Sequence, residues 1–165
     1  MRYLITFIFM TIGTFLSAEE LVLGDDGLYK PSWMNQTFLN FNEDLKDAIN
    51  QDKILFVIFE QRGCIYCKVM HNEVFSDPDV VGILKNKFYG VQINTRGNRE
   101  VTDLDGETLT EAEASNKWGA VLTPTLLFLK DFDGVNLKEA ALFEFPGSMG
   151  KDNFLKILNW VQEFK

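Results

Sequence analysis

The chain has 165 residues, of which 46% are hydrophobic, and a formal net charge of −8 at pH 7. This length and apolar content are sufficient for one domain with a substantial core. The acidic balance disfavours contact with phosphate backbones, so nucleic acid is not an expected partner.

The first residues have the pattern of a Sec-type secretory signal peptide. Arg2 precedes a predominantly apolar run over residues 3–16, and small residues follow it up to Ala18. The run is short for a membrane span, which needs about 20 residues. We therefore expect a signal peptide over residues 1–18 and a periplasmic protein. An uncleaved N-terminal membrane anchor is the alternative.

The next residues predict a lead-in, a helix and a strand. Residues 19–39 mix Gly, Asp and Pro with scattered apolar side chains, so we interpret them as a lead-in whose end packs on the domain. Residues 41–51 favour a short helix that Asn42 can cap. The continuous apolar run over residues 53–60 predicts a strand buried on both faces of a sheet.

The middle of the chain predicts two helices, a second strand and a polar excursion. Residues 64–75 favour a helix, and Pro78 suits the first position of the helix that follows. Residues 88–94 alternate as a strand, and residues 95–110 are a polar excursion.

The rest of the chain completes a mixed sheet. Thr110 and Glu113 are spaced as a capping box at the start of another helix. A third strand, which Pro124 interrupts near its start, is predicted over residues 121–130. It is followed by a turn over residues 131–134, a fourth strand over residues 137–147 and a last helix over residues 151–164. Strand–helix–strand succession gives parallel neighbours and a closing hairpin adds an antiparallel strand. The predicted fold class is α/β, with a mixed central sheet flanked by helices.

Both cysteines lie in the stretch GCIYC, where the buried strand leads into a helix. Unpaired N–H groups and the positive helix end favour an anion there, so the pKa of the Cys64 thiol should be lowered, helped by Arg62 and Lys68. The thiolate is the attacking species in disulfide exchange, which makes Cys64 the predicted nucleophile. Cys67, one turn further on, is close enough to resolve a mixed disulfide.

The same residues are poorly suited to other kinds of site. A structural clip is poorly motivated, because so short a loop removes little entropy from the unfolded chain. Zinc could use Cys64, Cys67 and His71, but the chain has no third cysteine or second histidine to complete four ligands. Lys68 stands where c-type haem attachment needs a histidine. We expect neither metal nor cofactor, and place His71 on the helix surface.

The order of elements and motifs over residues 40–165 resembles the thioredoxin fold. A strand leads into CxxC at a helix start, and Thr-Pro precedes a late strand. The resemblance implies that Pro124 is cis and lies against the cysteines, and that Thr123 offers backbone hydrogen bonds to a bound substrate chain. More narrowly, FEQRGCIYCKVMHNEVFSDPDV, REVTDLDGETLTE and LTPTL are similar to the SoxW-type periplasmic thioredoxins. That likeness implies an enzyme that reduces protein disulfides. It also implies an upstream thiol donor, membrane-bound or not, that supplies electrons to the enzyme.

One departure from the family concerns a buried acid. Typical thioredoxins carry an aspartate six residues before the first cysteine, where this chain has Ile58. Strand alternation returns Glu60 to the same face as Ile58, so we predict that Glu60 accepts the proton of Cys67. The alternative is a partly exposed acid at a strand end.

A second departure leaves the direction of electron flow open. Ile65 and Tyr66 replace the usual Gly-Pro between the cysteines; Tyr66 resembles glutaredoxins and disulfide isomerases, and Thr123 resembles isomerases. We assign Tyr66 and Thr123 to substrate binding, beside Pro124. An oxidase or isomerase is the alternative enzyme, and a non-catalytic binding domain is the alternative outside enzymes, although such a domain would need neither cysteine. We expect a monomer.

Overall fold

The computed structural model describes residues 21–131 and 136–164. The predicted signal peptide and most of the predicted turn at residues 131–134 lie outside these residues. Within them, no helix combines the length and the apolar character that a membrane crossing requires.

Five helices and six strands follow one another along the described residues. In chain order they are α1 (Phe41–Asn50), β1 (Ile54–Glu60), α2 (Ile65–Glu73), α3 (Pro78–Lys87), β2 (Phe88–Asn94), β3 (Glu100–Thr102), β4 (Thr108–Thr110), α4 (Glu111–Lys117), β5 (Thr125–Leu129), β6 (Phe143–Pro146) and α5 (Lys151–Glu163). The central sheet has the order β2-β1-β5-β6, and β3 and β4 form a separate hairpin inside the predicted polar excursion.

The central sheet is mixed, as predicted, but β5 runs in the direction that the sequence did not indicate. β1 is parallel to β2, whereas β5 is antiparallel to both β1 and β6. The cause is the length of α4, which has 7 residues and spans about 10 Å. It cannot return the chain along the 7-residue strand β2, which is about 23 Å long. β5 therefore starts at the end of the sheet where β1 finishes.

Every residue of β1 is buried, which confirms a strand covered on both faces. On one face, under α1 and α4, the core joins β1 to the rings of Phe41 and Trp118. On the other face, under α2, α3 and α5, it joins β1 to Met70, Leu84 and Phe154. Burying such a side chain contributes about 1.5–3 kcal/mol, so the two cores fix β1 and the segment that follows it.

Two helix starts test the predicted caps. The capping box of Thr110 and Glu113 is confirmed at α4. The cap of α1 was predicted wrongly: the side chain of Asn40 accepts the backbone N–H groups there. The side chain of Asn42 instead donates to the carbonyl of Asp103 at 3.1 Å. Capping at Asn40 puts Phe41 inside the helix, where its ring is fully buried.

The fourth strand is shorter than predicted. It covers only Phe143–Pro146, and residues 137–140 form turns. Leu137 is fully buried and its N–H donates to the buried carboxylate of Asp103 at 2.8 Å. This contact draws the start of the segment into the core and away from the sheet edge.

The lead-in packs against the α2 face of the sheet. The Trp33 ring stacks on Phe56 with ring centroids 5.8 Å apart and meets Phe75 edge-on at 5.3 Å. A side chain at Gly90 would come within 2.9 Å of the Trp33 ring, so glycine permits this close approach. A bridge between Leu23 and Tyr29 then turns residues 23–29 back toward the start of α2.

Candidate active site

Cys64 and Cys67 form a disulfide across the first turn of α2, with Cα atoms 5.2 Å apart. Cys64 is the N-cap residue, and its Sγ accepts the backbone N–H of Cys67 at 3.0 Å. Gly63 before it has φ +76°, a left-handed conformation that glycine adopts at little cost. Cys64 is half-buried, whereas Cys67 is 3% exposed. A partner that approaches from solvent therefore meets Cys64 first.

The Thr123–Pro124 peptide bond is cis and lies beside the disulfide. The Sγ of Cys64 is 3.4 Å from the carbonyl oxygen of Thr123. Pro124 is buried, and its carbonyl accepts the N–H of Gly147 at 2.7 Å. The structure thus brings together four of the residues that the sequence assigned to the site, Cys64, Cys67, Thr123 and Pro124.

Apolar side chains on both sides of the disulfide are exposed. Ile65 is 75% exposed and Tyr66 is 64% exposed in the first turn of α2, and Val121 and Leu122 project before the cis bond. Tyr66 therefore lies at the surface next to the cysteines. Exposed apolar groups that cluster in this way are typical of a surface that contacts another molecule.

A cavity of about 480 Å³ opens on one side of the disulfide. Leu28 and Tyr29 of the lead-in form one wall, and both cysteines and Glu60 line the other side. The guanidinium of Arg62 donates to the carbonyl of Asp25 at 2.9 Å and ties the two walls together. The lead-in is thus a structural part of the site.

Glu60 lies at the end of β1 and is 1% exposed, so the partly exposed alternative is wrong. Its Oε2 accepts a hydrogen bond from Nε2 of Gln92 at 2.6 Å. Nε2 of His71 lies 2.9 Å from Oε1 and 3.1 Å from Oε2. Glu60 and Cys67 border the same cavity. The predicted role of Glu60 in proton transfer remains a prediction, now with a defined environment.

The placement of His71 on the helix surface was wrong. The side chain is fully buried, and its ring packs against Tyr29 and Phe75 with centroids 5.0 and 5.2 Å away. The lead-in covers this face of α2, which the pattern of the helix alone does not reveal. In the region that the structure describes, no group of three or more His, Cys, Asp and Glu side chains is placed to hold a metal ion.

Gln92 and Lys30 also belong to the site, and sequence reasoning missed both. Nζ of Lys30 donates to Oε1 of Gln92 and to the carboxylate of Asp26, each at 2.6 Å. Partial burial acts to raise the pKa of Asp26, but the hydrogen bond from Lys30 acts to lower it, and the pKa lies below its usual value. Gln92 left one signal: it is a polar residue between Val91 and Ile93 in a predominantly apolar strand. Lys30 left none, because its position depends on how the lead-in folds back.

The comparisons with known proteins agree with this arrangement. A family model described as a thioredoxin-like domain matches residues 41–162. A search of curated proteins finds no match.

Solved structures share the fold. A thioredoxin from Thermus thermophilus is 24% identical with a TM-score of 0.57, covering 74% of this chain and 83% of its own. A candidate disulphide-isomerase from Bacteroides thetaiotaomicron is 26% identical with a TM-score of 0.56, covering 80% and 95%. The oxidised C-terminal domain of DsbD from Neisseria meningitidis is 14% identical with a TM-score of 0.51, covering 80% and 99%.

Proposed function

Because the chain belongs to the thioredoxin-like domain family, we propose that it is a thiol–disulfide oxidoreductase that reduces protein disulfides. The observation that carries the proposal is the Cys64–Cys67 disulfide at the start of α2, with the Thr123 carbonyl 3.4 Å from the more exposed sulfur. A domain that only binds a partner has no use for two cysteines at this position, so the pair favours an enzyme.

The reaction has two exchange steps. In the reduced protein, the Cys64 thiolate attacks one sulfur of the substrate disulfide, forms a mixed disulfide and releases the first substrate thiolate. Cys67 then attacks Sγ of Cys64, restores the internal disulfide and releases the second thiolate. Glu60 takes the proton that Cys67 loses, and the released thiolates take protons from water. Two electrons pass from the dithiol to the substrate, and no cofactor beyond the dithiol takes part.

Substrate binding is assigned to the surface around Cys64. An extended substrate segment donates a backbone N–H to the carbonyl of Thr123, which Pro124 holds beside the reacting sulfur. Tyr66 adds apolar contact from the other side. An upstream thiol donor must then reduce the Cys64–Cys67 disulfide. The likeness of the motif to SoxW-type periplasmic thioredoxins supports protein disulfides as the substrate class.

Export to the periplasm is part of the proposal and is supported by the composition of residues 1–18 alone. The compartment suits the chemistry, because disulfides persist outside the cytoplasm. Fusing these residues to alkaline phosphatase, which is active only after export, tests it. An inactive fusion that accumulates in the cytoplasm would contradict export.

A disulfide isomerase or oxidase is the second candidate. It is favoured by the 26% identity to the candidate disulphide-isomerase and by the absence of proline between the cysteines. Equilibration with glutathione buffers separates the candidates. A reduction potential near that of thioredoxin, about −270 mV, supports a reductant, and one near about −120 mV supports an oxidant.

Insulin reduction by dithiothreitol tests the proposed function. The wild-type protein should accelerate the precipitation of the insulin B chain, and Cys64→Ser should abolish the acceleration. Lys85→Met, a change at an exposed position of α3, is the matched control and should react as the wild type does. A wild-type protein that gives no acceleration would favour the non-catalytic binding domain.

A further inference from the structure

A chain of polar side chains leads from the surface to the cavity below the disulfide. It starts at Asp26 and Lys30, whose side chains are 32% and 24% exposed. It continues through Gln92, which is 5% exposed, to Glu60 and His71, which are 1% and 0% exposed. Each link is a hydrogen bond between side chains, of 2.6 to 2.9 Å.

The orientation of the Gln92 amide is determined by its partners. The Lys30 ammonium can only donate, so the oxygen of the amide must face it. The amide nitrogen then faces two acceptors, the carbonyl of Tyr29 at 3.0 Å and the carboxylate of Glu60 at 2.6 Å. Gln92 is therefore a donor to Glu60, and the positive charge of Lys30 polarises the amide in the direction that strengthens this bond.

The surroundings of His71 select one tautomer of its imidazole. Nδ1 is buried and has no hydrogen-bond partner among the described residues, while Nε2 faces the Glu60 carboxylate. A buried N–H without a partner is rarer and costlier than an unused lone pair, so the proton belongs on Nε2. His71 then donates from Nε2 to Glu60.

The two results agree on how Glu60 is held. Both of its neighbours donate hydrogen bonds to the carboxylate, Gln92 to Oε2 and His71 to Oε1. Among the described residues, the Lys30 ammonium reaches Glu60 through the Gln92 amide. Glu60 is thus held by two donors at the wall of a cavity that Cys67 also lines.

We propose that Lys30, Gln92 and His71 are positioning residues that hold the Glu60 carboxylate in the orientation in which it accepts the proton of Cys67. The inference rests on the proposed function and concerns its second step. There, the Cys67 proton passes to Glu60 and the sulfur electron pair forms the bond to Cys64. The electron pair of the mixed disulfide leaves with the substrate thiolate, so atoms and charges balance.

The inference makes the lead-in part of the catalytic apparatus. Lys30 is the only member of the chain of contacts that brings a positive charge, and it comes from outside the residues matched by the family model. Its charge reaches Glu60 across the buried amide of Gln92, and electrostatic interactions are stronger at buried positions than in bulk solvent.

The first test separates the two exchange steps with dithiobis(nitrobenzoate). The reduced protein releases one coloured thiolate when Cys64 attacks and a second when Cys67 resolves the mixed disulfide. Lys30→Met should slow only the second release, by about 10-fold, which is part of the 10²- to 10⁴-fold that acid–base catalysis contributes. Lys30→Arg, which keeps the charge, should recover most of that loss. Lys85→Met, which removes an unrelated charge at an exposed position, should stay within about twofold of wild type.

Equal rates for Lys30→Met and the wild type would overturn the proposal. So would an equal slowing of both releases, because that result indicates general damage to the site. If the wild-type protein also fails in the insulin assay, the proposed function fails together with the inference. Normal insulin reduction with unaffected variants overturns the inference alone.

The second test addresses His71 without changing the lead-in. Nitrogen-15 NMR of the wild-type protein should show the proton on Nε2, and a proton on Nδ1 would overturn the assignment. His71→Phe keeps the ring contacts but removes the donor, and should slow the second release by about 10-fold. His71→Gln restores an N–H donor and should recover most of that loss. Equal rates for the two variants would overturn the role of the donor.

Discussion

Glu60 and Asp103 are both carboxylates that are at most 1% exposed, but their hydrogen-bond partners differ in kind. Glu60 accepts from the amide of Gln92 and the imidazole of His71, at the wall of a cavity. Asp103 accepts four hydrogen-bond donors, one of which is a lysine ammonium. The same chemical group is thus held in two ways within one domain.

The partners of Asp103 tie together distant parts of the chain. Oδ1 accepts the N–H groups of Leu104 at 2.7 Å and Leu137 at 2.8 Å. Oδ2 accepts Nε1 of Trp118 at 2.8 Å and Nζ of Lys117 at 2.7 Å. All the lone-pair positions of this carboxylate are used, and its charge is neutralised by direct contact.

The difference separates a structural carboxylate from one suited to proton transfer. Both oxygens of Asp103 already accept two donors each, so this carboxylate has no free lone pair at which to receive a proton. Glu60 keeps capacity on Oε1, which among the described residues faces His71. Substitutions at the two sites should therefore affect different properties, stability for Asp103 and the rate of exchange for Glu60.

The largest effect is expected for Asp103→Asn. The variant removes the charge that Lys117 faces and turns an amide N–H toward other donors. Breaking a buried pair of this kind costs about 3–5 kcal/mol, measured as a loss in the free energy of unfolding in urea. The rate of insulin reduction per folded molecule should not change. A variant as stable as the wild type would contradict the structural role.

Glu60→Gln should show the opposite pattern. The amide keeps an acceptor for His71 or Gln92, so the free energy of unfolding should change by about 1 kcal/mol or less. Resolution by Cys67 should slow by about 100-fold, because the proton acceptor is lost. Stopped-flow recording of the release of the second thiolate measures the rate of this resolution step. An unchanged resolution rate would show that Glu60 does not take the proton.

Lys117→Met should make the Asp103 site resemble the Glu60 site. Asp103 would keep three N–H donors and lose its cation, which also contacts Asp105 and Glu107 at 2.7 Å. The side chain of Lys117 is 25% exposed, so the expected loss is about 1–2 kcal/mol, less than for Asp103→Asn. Urea unfolding of both variants compares them directly. A loss as large as that of Asp103→Asn would assign the stability to the cation and not to the carboxylate.

Asp44 is another buried carboxylate, and the effect of replacing it should depend on pH. Burial raises its pKa from 3.8 to about 7, against the hydrogen bond that Thr37 donates. Because the folded pKa is higher than the unfolded one, stability from Asp44 is complete below pH 3.8 and is lost as the pH rises through about 7. Asp44→Asn should therefore make the free energy of unfolding fall less between pH 4.5 and pH 8 than it does in the wild type. A variant with the same pH dependence as the wild type would contradict this.

The parts of the site that follow from local patterns could be predicted from the sequence. A continuous apolar run identified β1, and the CxxC after it placed Cys64 at the first turn of a helix. The Thr123–Pro124 pair was found through resemblance to a family, because nothing in its composition points to the disulfide. In these cases the relevant neighbours lie close in sequence or in a known motif.

The parts that depend on distant contacts could not be predicted. The direction of β5 follows from the length of α4, and the burial of His71 follows from the lead-in that covers α2. Lys30 lies 62 positions before its partner Gln92. Periodicity describes one element at a time, so it does not show which polar residue of a lead-in will reach a buried strand.

The central claim is that Cys64 is the attacking sulfur of a redox-active pair. Incubating Cys67→Ser and Cys64→Ser with a disulfide-bonded protein such as insulin, followed by mass spectrometry, tests it most directly. The account predicts a stable mixed disulfide on Cys64 in the Cys67→Ser variant and much less adduct in Cys64→Ser, whose remaining cysteine is buried. Adducts of equal yield in both variants, or none in either, would contradict it.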